Sequence, residues 1–431
     1  MIDSLLNLNW IHLFEQYEQL YIGFSGGLDS TVLLHNLSLY PQLIHKITAI
    51  YINHNLNINS HLWQQHCEHI CEAWKIKYCN KDIFLSNQSN IEENAREARY
   101  QEFLNFLQQN NTCLLTAHHR DDQMETVLLN LLRGTGIMGL CGMPITKKFG
   151  AGKLHRPLLE VTRQHLLEYA QSHNLHWIND DSNSDIKFSR NFIRLKIIPL
   201  LLTKWPNIQQ QIIRTSQHCQ QAQNNLYDLA KLDYHQVLIA KKILSINKLQ
   251  TINYDRIANI LRFWLKKNQI LMPSSLILQR IINELILTKS DRAMQISWQH
   301  IMIKSYQDNL YLITNDAKAT YKTLHWSEFP KKLLIKKLGM LTAESTVDDG
   351  IQINLSDQLE IRFRQGGEQF VWHGQTKSLK KLLQTWHIPP WKRDQIPLLY
   401  INNYLACVIN YAISDLFYGS EKCYKIIYNP Y

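Results

Sequence analysis

Cysteine is sparse and scattered in this 431-residue chain: the 8 residues at positions 67, 71, 79, 113, 141, 219, 407 and 423 include no CxxC pair. That excludes a disulfide-stapled scaffold and points to reduced thiols in a cytoplasmic protein. The tightest set, His66-Cys67-Glu68-His69-Ile70-Cys71, has no second ligand pair, so small buried cysteines on a helix are expected rather than zinc. No run approaches the roughly 20 apolar residues of a membrane span. The opening MIDSLLNLNWIHLFEQYEQ has acidic residues and no basic segment, so no secretory signal is expected. Charged residues reach 19% beside 45% apolar ones, a balance that excludes wholesale disorder.

What the chain does have is basic charge. Lys and Arg number 46 against 36 Asp and Glu, before 19 histidines, and aromatics make up 10%. This favours a polyanionic partner such as nucleic acid, although charge alone also fits a basic enzyme of small molecules. At roughly 150 residues per domain, the length suggests two to three domains. Through about residue 200, short apolar runs alternate with amphipathic segments, the pattern of βαβ units around a parallel sheet. Strands are expected over Leu20–Phe24, Ile47–Ile52, Lys75–Ile83 and Thr112–Thr116. Helices are expected over Ser30–Ser38, Ile58–Trp74, Ile91–Leu107 and Asp121–Arg133. Asn90 with Glu93 reads as a capping box, and Gly134 as a helix stop.

Helical periodicity dominates from Thr203 to about Thr288, followed by short strands from Ala293 to Asn315. The stretch Thr320–Leu338, with Lys322, Lys331, Lys332, Lys336 and Lys337, reads as a linker or basic rim. Ile351–Tyr431, with its Gly366-Gly367 turn, reads as a small α+β module. The expected architecture is an α/β, Rossmann-like catalytic domain over residues 1–202, a mostly helical domain over 203–325, and a basic α+β domain over 326–431. No internal repeat is evident.

The sharpest motif is Ser25-Gly26-Gly27-Leu28-Asp29-Ser30, between the first strand and the helix after it. Two glycines let the backbone approach an anion and take positive φ. Ser25 and Ser30 offer hydroxyls, and the helix turns its free N–H groups and positive dipole end toward the ligand. A phosphate chain is the natural occupant. The GxxxxGK[ST] lysine and the GxGxxG spacing are both missing, which disfavours kinase, GTPase and dinucleotide readings. Asp29 beside phosphate implies a bridging Mg²⁺, hence an ATP–Mg²⁺ site.

Thr116-Ala-His-His-Arg-Asp-Asp-Gln-Met-Glu-Thr126 follows the fourth strand, at the carboxyl edge where open α/β sheets bind ligands. His118, Asp122 and Glu125 stand at i, i+4 and i+7, one face of a helix that starts early enough. Val127, Leu128, Leu131 and Leu132 are expected to pack on the sheet from the opposite side. A solvated helix N-terminus would explain Asp121 and Asp122, but not the histidine pair. Arg96 and Arg99, one turn apart, are either solvated or a bidentate phosphate clamp. Asp180-Asp-Ser-Asn183 and Ser189-Arg190-Asn191-Phe-Ile-Arg194 form a polar loop leading into a helix.

The SGGxDS loop resembles that of the PP-loop ATP pyrophosphatase superfamily. The ordered set SGGLDSTVLLH, YINHNLNINS, AREARY, TAHHRDDQMETVLLNLLRGTGIMGLCGM, RPLL, DDSN…SRNFIR, IRFRQGGEQF and LKKLLQTWHIPPWKRDQIPLLY resembles the bacterial tRNA(Ile)-lysidine synthetases. That resemblance runs from the loop near residue 25 to about Tyr411. The chain departs from the family pattern at Asn55 and Asn57, where Gly and Arg are usual, at Met138, commonly basic, and at Asp181, commonly proline.

The resemblance implies a two-step ligase using ATP and Mg²⁺. The wobble cytidine of a CAU-anticodon isoleucine tRNA is adenylated on the oxygen at carbon 2. Free L-lysine then displaces AMP to give lysidine, moving codon reading from AUG to AUA. For the nucleotide it implies Ser25, Gly26, Gly27, Leu28, Asp29, Ser30, His54, Arg96 and Arg99, with Asp29 as metal ligand. The implied catalytic set is Asp29, His118, Asp122, Glu125 and Arg190. Arg96 or Arg99 with Arg190 would stabilise α-phosphoryl transfer, His118 would lie near the phosphates, and Asp122 and Glu125 would hold and deprotonate the lysine amine. A PP-loop thiolase would need catalytic cysteines, commonly a CxxC pair. An RNA-binding module with a decayed nucleotide fold would not need Asp29, Asp122 and Glu125. No membrane partner is expected, and oligomeric state is left open, a dimer included.

Overall fold

A computed structural model describes residues 5–54, 59–83, 91–180, 184–288, 294–314, 322–336, 338–354, 356–420 and 423–430. Asn55, Asn57, Asn90, Asp181–Asn183 and Lys337 lie outside these. The chain divides into two compact units, Met1–Asp228 and Leu229–Tyr431.

The first unit runs α1 (Leu8–Glu15), β1 (Gln19–Gly23), α2 (Leu28–Ser38), α3 (Pro41–Ile44), β2 (Ile47–Asn53), α4 (Ser60–Ala73), β3 (Lys77–Asp82) and α5 (Ile91–Phe106). There follow β4 (Thr112–Leu115), α6 (Arg120–Leu132), α7 (Ile137–Leu140), the hairpin β5 (Thr146–Phe149) and β6 (Gly152–His155), and α8 (Arg163–Ser172). The strands form one sheet in the order β3-β2-β1-β4-β6-β5, parallel throughout except for β5. Its central strands are apolar on both sides because both faces are covered. Leu20, Ile22, Cys113 and Leu115 pack with Phe14, Leu33, Leu37 and Leu166 of α1, α2 and α8. The alternate residues Tyr21, Ile50 and Leu114 pack with Phe103 and Phe106 of α5. Cys67 and Cys71 of α4 are buried free thiols in the first of these layers, as expected of small core residues.

Because β1, β2, β4 and β6 run parallel, their carboxyl ends share one edge. The residues next in chain, Phe24–Gly27, His54, Thr116–His119 and Arg156, therefore gather there.

One expectation about α6 is reversed. The helix starts at Arg120 with His119 as N-cap, so His118 precedes it instead of sharing its face. Val127 is buried as expected, but so are Asp122, Gln123 and Glu125, whereas Leu131 and Leu132 are 57% and 73% exposed. The polar side goes inward because cations from the chain downstream of α8 cover it. Those come from α9 (Ser189–Phe192) and the π-helical turn Ile193–Ile197, which lead to α10 (Ile198–Lys204) and α11 (Ile208–Val237).

The mostly helical middle region is also corrected. Strands β7 (Leu238–Ala240), β8 (Ile243–Ser245), β9 (Gln295–Trp298), β10 (Ile301–Tyr306) and β11 (Asn309–Thr314) make an antiparallel sheet ordered β7-β8-β11-β10-β9. Leu244, Ile303 and Leu312 of that sheet share a core with Ile257, Leu261 and Trp264 of the helix Tyr254–Lys267 and with Ile281 and Leu285. β7 and β8 are three residues each, too short for alternation to register beside a long helix. The strands expected over Ala293–Asn315 are present as β9 to β11.

The lysine-rich stretch is woven into sheets rather than serving as a linker. Leu324–His325 pairs with Leu359–Arg362, Leu333–Ile335 pairs with Gly339–Thr346, and the buried Trp326 donates its indole N–H to the Lys331 carbonyl. Two five-stranded antiparallel sheets and the hairpin Gln369–Trp372/Gln375–Ser378 make up most of this C-terminal part, with the short helices Leu379–Thr385 and Pro390–Arg393. Among the described residues no helix is long and apolar enough to cross a membrane.

Candidate active site

The loop after β1 needs glycine for two reasons. Gly26 has φ +76°, and a Cβ there would lie 2.6 Å from Ile178 Cδ1 and 2.8 Å from Cys67 Sγ. The Ile178 N–H donates to the Gly26 carbonyl at 2.8 Å, tying the chain after α8 to the loop. Gly27 is the N-cap of α2 and offers no capping side chain, so the first-turn N–H groups stay available to an anion. Ser30 braces the loop: its Oγ accepts from the Ser25 N–H at 3.2 Å and donates to the Gly27 carbonyl at 3.1 Å. Ser25 is exposed at the loop surface.

Beside this loop stands a box of charges. Glu125, fully buried, accepts Arg190 Nε at 2.6 Å and Arg194 Nε at 2.5 Å. Asp122 accepts Arg190 Nη2 at 2.8 Å and lies 3.4 Å from Arg194 Nη2. Burial works against ionising Asp122, yet the His119 and Arg190 charges outweigh it and hold its carboxyl down at about 2. Asp122 Oδ2 also accepts the His119 N–H at 3.0 Å, closing the cap of α6.

His119 is the hub of this box. Its Nε2 lies 3.6 Å from Asp29 and 3.5 Å from Asp122, and its Nδ1 3.6 Å from Asp121. Burial opposes its charge, but hydrogen bonding with Asp121 and Asp29 and the Asp122 and Asp29 charges overcome this and raise its pKa to about 10. As an imidazolium, Nδ1 cannot accept from the Asp122 amide 3.4 Å away; the Asp122 carboxylate then carries the cap. Asp121 also accepts the Arg163 N–H at 2.9 Å, near the start of α8.

Asp29, Asp122, Glu125 and Arg190, all expected as site residues, lie together here, linked through His119. The expected set missed His119 and Arg194. Arg190 and Arg194 are one helical turn apart, a spacing that signals a shared target once a buried carboxylate is suspected.

The other expected residues lie around this centre. His118 bonds Thr116 Oγ1 at 2.9 Å through Nδ1. Burial, with help from Arg156, Arg190 and Arg96 and against the Asp122 charge, lowers its pKa to about 3, so it is neutral. His54 accepts from Arg99 Nε at 3.1 Å, and burial followed by the Arg99 charge lowers its pKa to about 4. Its Nδ1 is buried without a partner. Arg96 instead lies over the Tyr100 ring, 5.5 Å from its centroid.

The residues present fit a divalent cation bridged through phosphate. Asp29 turns Oδ2 toward His119, while its Oδ1 is buried with no hydrogen-bond partner. Among the described residues no group of three or more His, Cys, Asp or Glu could hold a metal by itself. One carboxylate with phosphate and water is the donor set Mg²⁺ commonly takes.

A mostly parallel sheet with a cap-free SGGLDS turn at its carboxyl edge, next to a buried carboxylate–arginine box, defines an ATP-using PP-loop enzyme, and the PP-loop domain family matches residues 4–201. Downstream, the TilS substrate binding domain matches residues 244–311 and the TilS substrate C-terminal domain matches residues 359–428. The chain is 46% identical to the tRNA(Ile)-lysidine synthase of Legionella pneumophila (strain Paris) over 100% of both chains. It is 39% identical to that of Coxiella burnetii, covering 92% of this chain and 89% of the relative. With Proteus mirabilis the figures are 37%, 91% and 91%. The chain belongs to the tRNA(Ile)-lysidine synthase family of ATP-dependent ligases.

Proposed function

We propose that this chain ligates free L-lysine to carbon 2 of the wobble cytidine in CAU-anticodon isoleucine tRNA, through an adenylated tRNA. The observation that carries the reading is a charge imbalance. The cations Arg190, Arg194 and protonated His119 face four carboxylates, Asp29, Asp121, Asp122 and Glu125, leaving one negative charge over beside the phosphate loop. Asp29 would be taken up by Mg²⁺ on the phosphate chain, and Asp122 and Glu125 beside it are the acidic groups that an ammonium can meet.

In the first step the cytidine oxygen forms a bond to the α-phosphorus of ATP as pyrophosphate leaves. Ser25, Gly26, Gly27, Leu28 and Ser30, with the first turn of α2, cradle the phosphates. Arg99, oriented by His54, and Arg190 face the developing charge. Mg²⁺ held by Asp29 would neutralise the phosphate chain. In the second step the lysine amine bonds carbon 2, and AMP leaves with the former carbonyl oxygen. Asp122, held ionised, anchors the incoming ammonium, with Glu125 one turn further along the same helix as the second carboxylate on the amine side. Neutral His118 donates or accepts a hydrogen bond without adding charge. The residues 203–325 and 326–431 form the tRNA-holding domains.

Incubation with isoleucine tRNA, ATP and labelled lysine, followed by nucleoside analysis, tests the reading. Label in lysidine at the wobble position is expected. Pyrophosphate release without lysine incorporation would overturn it.

A further inference from the structure

A second cationic cluster at the same sheet edge is not used by the chemistry above. Arg96 and Tyr100 come from α5, Lys147 from β5, and Arg156 directly follows β6. The Arg96 guanidinium and the Lys147 ammonium lie 5.5 and 5.6 Å from the Tyr100 ring centroid, and Phe149 meets that ring edge-on at 5.7 Å. Arg156 is 3% exposed. Its Nη1 donates to the Pro144 carbonyl at 2.7 Å and its guanidinium interacts with the Tyr100 side chain, while its buried Nε makes no close hydrogen bond. Among the described residues, none of the three cations pairs with a carboxylate. Burial lowers the pKa of Lys147, and Arg156 and Arg96 lower it further, as repulsion without a counter-ion requires.

We infer that Arg96, Lys147 and Arg156, gathered around Tyr100, form a phosphate pocket that holds a backbone phosphate of the tRNA near the reacting base. Place decides the source of the phosphate. β6 lies two strands from β1 in the sheet, roughly 10 Å at about 4.8 Å per strand. An ATP chain seated at the α2 N-terminus is already cradled there. An RNA strand presents a phosphate at every nucleotide, and one crossing the site reaches a cradle further along the edge. The inference rests on the reading of this chain as a tRNA-modifying ligase.

Arg156 is buried and its loss risks the fold, so the test uses Arg96→Ala, Lys147→Ala and their double variant in the full chain. Binding of unmodified isoleucine tRNA is followed by anisotropy across a salt series, and Mg²⁺–ATP binding by calorimetry. Each single variant is expected to weaken tRNA binding roughly five-fold at 0.1 M salt. Each should also reduce the log-affinity against log-salt slope by about 0.7 to 0.9, with ATP binding unchanged. Weaker ATP binding with a normal tRNA slope would overturn the inference and give the pocket to the nucleotide. Unchanged binding of both would reduce it to a solvated face. Wild-type protein that binds no tRNA in the same titration would instead sink the ligase reading itself.

Discussion

Arg190 reaches back 65 positions to donate from Nε to Glu125 at 2.6 Å, and that carboxylate has no exposed surface. A buried carboxylate closed over by guanidinium groups is costly to break from one side, because the partner charge is left uncompensated. Glu125→Gln keeps shape and removes charge, so Arg190 and Arg194 would then face Asp122 alone. The expected loss is about 3 kcal/mol of stability in a urea titration, together with loss of lysidine formation. Adding Arg194→Met should recover part of the stability but not the activity. Additive losses in the double variant would show that the Glu125–Arg194 pair is uncoupled.

Asp122→Asn separates the two half-reactions. The charge that anchors an incoming ammonium goes, while the α6 cap survives through the amide oxygen. Lysine incorporation should fall at least ten-fold further than pyrophosphate release, since the first step uses no amine. Equal losses in both measurements would place Asp122 with the nucleotide instead.

Asp29→Ala removes the carboxylate whose Oδ1 is buried without a partner beside the phosphate loop. Adenylation of tRNA should fall by more than a hundred-fold while tRNA affinity stays at wild type. A normal rate of adenylated-tRNA formation in this variant would leave Asp29 a structural partner of His119 and nothing more.

Sequence pattern carried the phosphate loop, because Gly26 sits at φ +76°, a turn an L side chain rarely takes; the packing of Cys67 and Ile178 against it was not readable from the loop itself. The parallel sheet was legible for a similar reason: strands such as Thr112–Leu115 are buried on both faces and read as apolar runs. The α6 face was not. Periodicity assumes that apolar residues point inward, and here Asp122 and Glu125 do so because Arg190 and Arg194 arrive from far along the chain. No window around residue 122 contains that information. The middle sheet failed differently: Ile243–Ser245 is a strand because it pairs with β11, and Leu238–Ala240 because it pairs with β8, not because of their own pattern.

His119 should give the box a pH signature. Its raised pKa means that its charge adds stability fully below about 6.5 and that this is lost as pH rises toward about 10. Asp122 acts oppositely: its depressed pKa adds stability above about 3.8, lost as pH falls toward about 2. His119→Asn keeps an N-cap side chain and deletes the imidazolium. Between pH 6.5 and 10 the wild type should therefore lose more stability than the variant, on the order of 2 kcal/mol. Parallel stability curves across that range would show that His119 is neutral in the folded state.

The last expectation concerns tRNA grip by the C-terminal part. Between Glu360 and Asp394 there are seven basic side chains against three acidic ones. The fold spends some of these internally: Arg362 bonds Glu360, Arg364 bonds Asp394, and buried Arg393 donates to the Ile388 carbonyl. Lys380, Lys381 and Lys392 remain exposed, and the Lys377 ammonium sits 5.3 Å from the Trp372 ring centroid. Trp372 and Trp386 meet edge to face at 5.6 Å, and Trp391 packs on Tyr306 and Tyr311, so the interleaved tryptophans brace the surface that presents the lysines. Such a surface grips phosphates without reading bases. Neutralising Lys377, Lys380 and Lys381 together should weaken tRNA binding and flatten the log-affinity against log-salt slope by roughly two to three units. Mg²⁺–ATP binding should stay at wild type, since its candidate residues all lie in the N-terminal unit. A triple variant with unchanged slope and normal tRNA affinity would show that these lysines merely solvate the domain.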